Sequence, residues 1–157
     1  LNHSCKSNCM YVWKEASSSK AIVAIRPIVS GEEIKVDYCE GITEPSIEAY
    51  EKAWRLNYLN TKFSFTCTCE FCSDDSAEDK IRRAQIIDII SKKIPECIAA
   101  QNPILALEYC EKTIELLKLC ELDVPSNLKP VYSDMSQIYK HGVKDQAKAA
   151  EYAALLG

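Results

Sequence analysis

"FSFTCTCEFC", Phe63 to Cys72, sets three cysteines within six residues of one another. Cys67-x-Cys69-x-x-Cys72 contains a C-x-x-C step, which can wrap one metal ion as a knuckle. A structural zinc site closes with four ligands in a tetrahedron, so these three thiols leave the set one short. The fourth ligand must arrive from elsewhere as a thiol or an imidazole. Cys5, Cys9, Cys39, His3 and His141 are the candidates. The plain alternative is a buried, reduced cluster without metal, but thiols this dense seldom serve packing alone.

The other cysteines read differently. The chain has nine, an odd number unevenly spaced, with no secretion signal, which suits a disulfide framework poorly. Cys97, Cys110 and Cys120 fall in helical patterns and read as small core residues. The 157 residues suggest one or two small domains, and 47% hydrophobic content is enough for a core. The net charge is −4 with Lys and Arg dispersed, which argues against a dedicated nucleic-acid surface and leaves room for a local acidic groove. No apolar run approaches the ~20 residues of a membrane span. A soluble, intracellular protein with no membrane partner is expected.

Outward from the cysteines, the chemistry of the chain changes twice. "CMYVWK" (Cys9–Lys14) and "KAIVAIR" (Lys20–Arg26) are rich in β-branched and aromatic residues and read as strands, with "EASSS" as the turn between them. After Pro27 and Ser30-Gly31, "EIKVDY" (Glu33–Tyr38) alternates as a third strand would. From Pro45 to about Asn60 the pattern is helical, with Ile47, Tyr50, Trp54 and Tyr58 near one face. "SDDSAED" (Ser73–Asp79) is an acidic linker whose carboxylates suit a helix start. Beyond it the sequence predicts helices over Lys80–Ile94, halted or kinked by Pro95, then Pro103 to about Glu121 behind a "QN" cap. Two more follow, Pro130–Lys140 ended by Gly142, and an Ala-rich Lys144–Leu156. Such helix pairs suggest helical repeats or a small irregular bundle.

Three motifs in order now resemble one family. Asn2-His3-Ser4-Cys5, then Gly31-Glu32-Glu33-Ile34 leading to Asp37-Tyr38, then Cys67-x-Cys69-x-x-Cys72, are similar to the C-terminal half of the SET domain and its post-SET segment. That is the fold of protein-lysine methyltransferases. The helical remainder looks like the tetratricopeptide-like tail of SET and MYND domain-containing enzymes and their fungal relatives. The resemblance implies an α+β chain: residues 1–42 the C-terminal part of a β-rich SET domain, 43–75 a linking helix and zinc-bound post-SET segment, 76–157 an all-α tail.

It also implies roles. Asn2 and His3 would bind S-adenosylmethionine, Asn2 through its side chain at the charged end and His3 through its backbone at the adenine. Tyr38 would be the catalytic tyrosine beside cofactor and substrate lysine. Phe65 would cover the adenine, and Phe63 would wall the lysine channel with Tyr38. Cys5 would complete one structural Zn2+ site with Cys67, Cys69 and Cys72. The substrate would be a lysine side chain of a histone tail or a non-histone protein, in nucleus or cytoplasm, with no direct nucleic-acid binding. Ser7 stands where the family usually has Pro, which predicts a looser turn. The upstream glycine-rich motif that seats the methionine end of the cofactor is not among the chain's four glycines. The chain is therefore expected to be a fragment, inactive alone, with an unpaired sheet edge and an exposed apolar face. The competing reading is a non-catalytic, zinc-stapled protein-binding module with a helical-repeat tail.

Overall fold

A computed structural model describes residues 1–39, 52–73 and 76–156. The chain divides into two compact units, Leu1–Asp75 and Ser76–Gly157, which together make a mixed α and β protein.

The first unit carries a four-stranded sheet in the order β1-β4-β2-β3. β2 (Cys9–Lys14) and β3 (Ser19–Ala24) form an antiparallel hairpin, joined by a 3₁₀ turn over Glu15–Ser17 that closes on Ser18 in the left-handed region. β1 (Asn2–His3) and β2 both run parallel to β4 (Lys35–Val36), which lies between them. β4 is two residues long, not the six expected over Glu33–Tyr38.

At the start of the expected strand a side chain, that of Asn8, stands where a strand neighbour would. Asn8 is 2% exposed. Its Oδ1 accepts from the Lys35 N–H at 2.8 Å, and its Nδ2 donates to the Glu33 carbonyl at 2.9 Å and to Glu32 Oε1 at 2.8 Å. Gly31 turns at φ +86°, and Glu32 also receives Arg26 and the Val29 N–H. Three hydrogen-bonding groups hold the Glu32 carboxyl down to about 2: Arg26 first, then Asn8, then the Val29 amide. Outside this polar knot the hairpin leaves Tyr11, Trp13, Ile22 and Val23 exposed.

α1 spans Lys52–Phe63, three residues past the expected end, and Ser64 closes it in the left-handed region. The first half of the predicted helix, from Pro45, lies outside the described residues. α1 buries Leu59 and Arg55, the latter with its guanidinium over the Phe71 ring.

The second unit is helical throughout. α3 (Ala77–Asp88) starts on the Ser76 hydroxyl, which accepts from the Asp79 N–H. Pro95 does not stop it. The chain widens into a π turn over Ile89–Lys93 and continues as α4 (Ile94–Ala99), with Pro95 in the first turn of the new segment. The wider turn makes room for the proline ring, whose missing N–H costs least at a helix start. Asn102 caps α5 (Pro103–Leu119) through the Leu105 N–H.

α6 (Pro125–Gln137) begins at Pro125, earlier than the expected Pro130, which sits inside it. Gly142 is not its terminus either. A second π turn runs Ile138–Val143 and ends on Lys144 in the left-handed region, and Asp145 then caps α7 (Gln146–Ala154). Gly142 is small for packing: a Cβ there would lie 2.6 Å from Pro103 Cβ. Ile86, Ala106, Cys110, Leu116, Leu117 and Met135 form the buried stripe, with Cys97 and Cys120 also in the interior.

Candidate functional site

The candidate site lies in the first unit, built from three stretches far apart in sequence. The first is the loop after β1. Ser4 Oγ accepts the Lys6 N–H at 3.1 Å, so a side chain stiffens the turn that leads to Ser7. This loop buries Cys5. The second is the knuckle. α2 (Glu70–Ser73) starts at once after Cys69, whose carbonyl accepts from the N–H groups of Cys72 and Ser73 at 2.9 and 2.8 Å. That single turn sets Cys69 and Cys72 side by side, and the Cys69 N–H points at Cys67 Sγ from 3.4 Å.

The four Sγ atoms of Cys5, Cys67, Cys69 and Cys72 all lie within 4.8 Å of one another, and Cys5 and Cys72 are 3.5 Å apart. A tetrahedron with Zn–S near ~2.3 Å has sulfurs about 3.8 Å apart, so the set has the size and chemistry of a closed zinc site. Hydrogen bonding within the cluster pulls Cys69 below the usual thiol range, chiefly through Cys5 and then Cys72, and pushes Cys5 above it, chiefly through Cys69 and then Cys72. Among the other candidates for the fourth ligand, Cys9 and Cys39 are buried thiols outside this set; burial pushes Cys39 up to about 12. His3 touches the cluster without belonging to it: its Nε2 is 3.2 Å from Cys5 Sγ. His141 belongs to the second unit.

The third stretch is the segment after β4. Tyr38 lies beyond the strand's end, with its ring 5.2 Å from His3, 4.8 Å from Phe63 and 6.2 Å edge-on from Phe65. Phe65 is 5.7 Å from the His3 ring. The Tyr38 hydroxyl donates to the Leu1 carbonyl. Asn2 is exposed and gives its amide N–H to Glu33 Oε1. Burial pushes Asp37, beside His3, up to about 6, while burial pulls His3 down.

Two rings extend this wall and were not singled out as site residues from the sequence. Tyr58 meets Phe63 edge-on at 6.2 Å, and Trp54 stacks on Tyr58 at 5.2 Å. Their i, i+4 spacing on α1 was visible, but the helix face they share gave no sign of what it would meet.

These features define the class of protein the chain resembles. Residues 1–39 match the SET domain family. Over an alignment of 146 positions that covers 88% of its length, the chain is 27% identical to the N-lysine methyltransferase SMYD2-B of Danio rerio, so the likeness reaches into the helical unit. The matched region is 31% of that relative's own length. The chain is thus similar, over part of its length, to SET-domain proteins of the SET and MYND type.

Proposed function

We propose that the first unit is part of the site of an S-adenosylmethionine-dependent protein-lysine N-methyltransferase, with the second unit as its tetratricopeptide-like tail. The observation that carries this is the meeting of His3, Tyr38, Phe63 and Phe65 beside four thiols of zinc-site size. Zinc, held by Cys5, Cys67, Cys69 and Cys72, has no open coordination position in such a site and serves to hold the Phe63–Phe65 segment in place. The half-exposed Phe65 ring leaves a face for a purine, and Asn2 and His3 would hold the same molecule from β1. S-adenosylmethionine, when bound, supplies an electrophilic methyl group on a sulfonium.

The chain's own residues prepare the amine. A free lysine titrates near ~10.4, and a water-poor aromatic channel disfavours its ammonium form. Phe63 and Tyr38, backed by Tyr58 and Trp54, furnish such walls. Because Tyr38 commits its proton to the Leu1 carbonyl, its oxygen presents lone pairs to the amine N–H and can orient the nitrogen. The substrate class is a lysine side chain on a histone tail or non-histone protein, in nucleus or cytoplasm.

The test uses the natural full-length chain that contains these residues. Tyr38→Phe should lower methyl transfer about 100-fold while calorimetry shows cofactor affinity little changed. Phe65→Ala should weaken cofactor binding about tenfold. Equal losses of both properties in both variants would overturn the roles, and no turnover by the unmodified chain on any protein substrate would leave the zinc-stapled binding module as the better reading.

A further inference from the structure

The His3 imidazole has a place that its main-chain contact with a cofactor would not require. Its side chain is 1% exposed. One ring nitrogen, Nδ1, accepts the Tyr38 N–H at 3.1 Å, and the other, Nε2, sits 3.2 Å from Cys5 Sγ. A peptide N–H can only donate, so Nδ1 must carry its lone pair. The neutral ring then carries its proton on Nε2, aimed at the Cys5 sulfur. Nδ1 also faces Asp37 Oδ1, but at 3.6 Å, beyond hydrogen-bond distance, so the Tyr38 N–H is the nearer partner.

We propose that His3 is a positioning residue, whose ring ties the metal-bound sulfur of Cys5 to the main chain of Tyr38, so that the loaded thiol cluster fixes where the Tyr38 ring and hydroxyl stand. The metal-bound sulfur is a thiolate, a stronger acceptor than a thiol. The Nε2–H bond is therefore firmest when the site is loaded, and it holds the tautomer that receives Tyr38. Tyr38 is gripped at two points, its N–H by His3 and its hydroxyl by Leu1, both in the segment that ends at Cys5. Metal loss would free one grip. By linkage, whatever steadies Tyr38 also steadies the metal. That the fixed hydroxyl serves catalysis rests on the function proposed above; the two hydrogen bonds do not.

The experiment splits the ring's two contacts in the full-length chain. His3→Asn places an oxygen near the Nδ1 position and loses the donor to Cys5. His3→Gln can keep a donor near Nε2 and loses the acceptor. His3→Asn should lower zinc affinity about 10- to 100-fold in chelator competition and shift the thiolate-to-cobalt charge-transfer bands after cobalt substitution. His3→Gln should hold zinc within about threefold of the unmodified chain, by the same second-shell reasoning. It should nevertheless speed hydrogen exchange at the Tyr38 amide, as zinc removal from the unmodified chain should also do. If neither variant folds, 15N spectra of the unmodified, zinc-loaded chain decide: an Nε2–H tautomer supports the tie, and an Nδ1–H tautomer overturns it. Unchanged zinc affinity and cobalt bands in His3→Asn overturn it as well, as does Tyr38 exchange that ignores zinc removal. None of these readouts needs turnover, so an inactive protein would sink the proposed function and leave this test standing.

Discussion

The two units stay folded by different means. In the second, the buried side chains are chiefly aliphatic, Ile86, Leu107, Leu116, Leu117 and Met135, on stripes that face one another from successive helices. In the first, Val36 and Leu59 are the fully shielded aliphatics among the described residues, and the rest of the interior is thiols, Phe71, Asn8, Ser4 and Arg55. A unit of this size buries too little apolar surface to be secure by that alone, and small units use metals or other staples instead. The first unit spends its sequence on side chains that also do chemistry; the second spends it on packing.

Metal removal is the hardest blow to this contrast. Structural zinc contributes about 10–16 kcal/mol of apparent binding free energy in small sites, so chelation, or Cys69→Ser with Cys72→Ser, should loosen the first unit, residues 60–73 first. The helical signal of the second unit should persist. Circular dichroism with elemental analysis checks both, and a single joint transition would break the comparison.

A packing deletion probes the other side. Leu117→Ala, at a fully buried position in α5, should cost about 2–5 kcal/mol in the second unit and leave zinc content unchanged. Denaturant titration with zinc determination reads both.

The smallest expected effect is electrostatic. Glu32 is held at about 2 in the folded state, below an ordinary glutamate near ~4.3. Its contribution is whole above the unfolded value and is lost as pH falls from about 4.5 to about 2. Glu32→Gln should flatten that acid limb for the first unit. A stability profile in acid that matches the unmodified chain would mean that Arg26 and Asn8 do not depend on the charge.

Legibility in the sequence followed the same division. The C-x-C-x-x-C spacing and the motif order pointed to Cys5, His3, Tyr38, Phe63 and Phe65, because local spacing sets a knuckle and the resemblance supplied the remainder. The aliphatic stripes were equally readable, since a helix repeats its face every three to four residues. Helix ends were less so. The sequence has Pro95 halting or kinking a helix and Gly142 ending one, yet a π turn before Pro95 lets the chain go on into α4, and a second π turn runs through Gly142. A proline's cost depends on whether the turn before it can widen, and that is settled by packing.

What the sequence by itself determined is the chemistry available: which thiols, rings and carboxylates exist, and which of them local geometry pairs. Only the tertiary structure decided that the Asn8 side chain would replace strand pairing beside β4, that Trp54 and Tyr58 would back Phe63, and that the His3 ring would stand between Cys5 and Tyr38. Each of these joins residues through side chains across separate segments. A periodic pattern records which face a residue occupies, but not which distant atom completes its hydrogen bond.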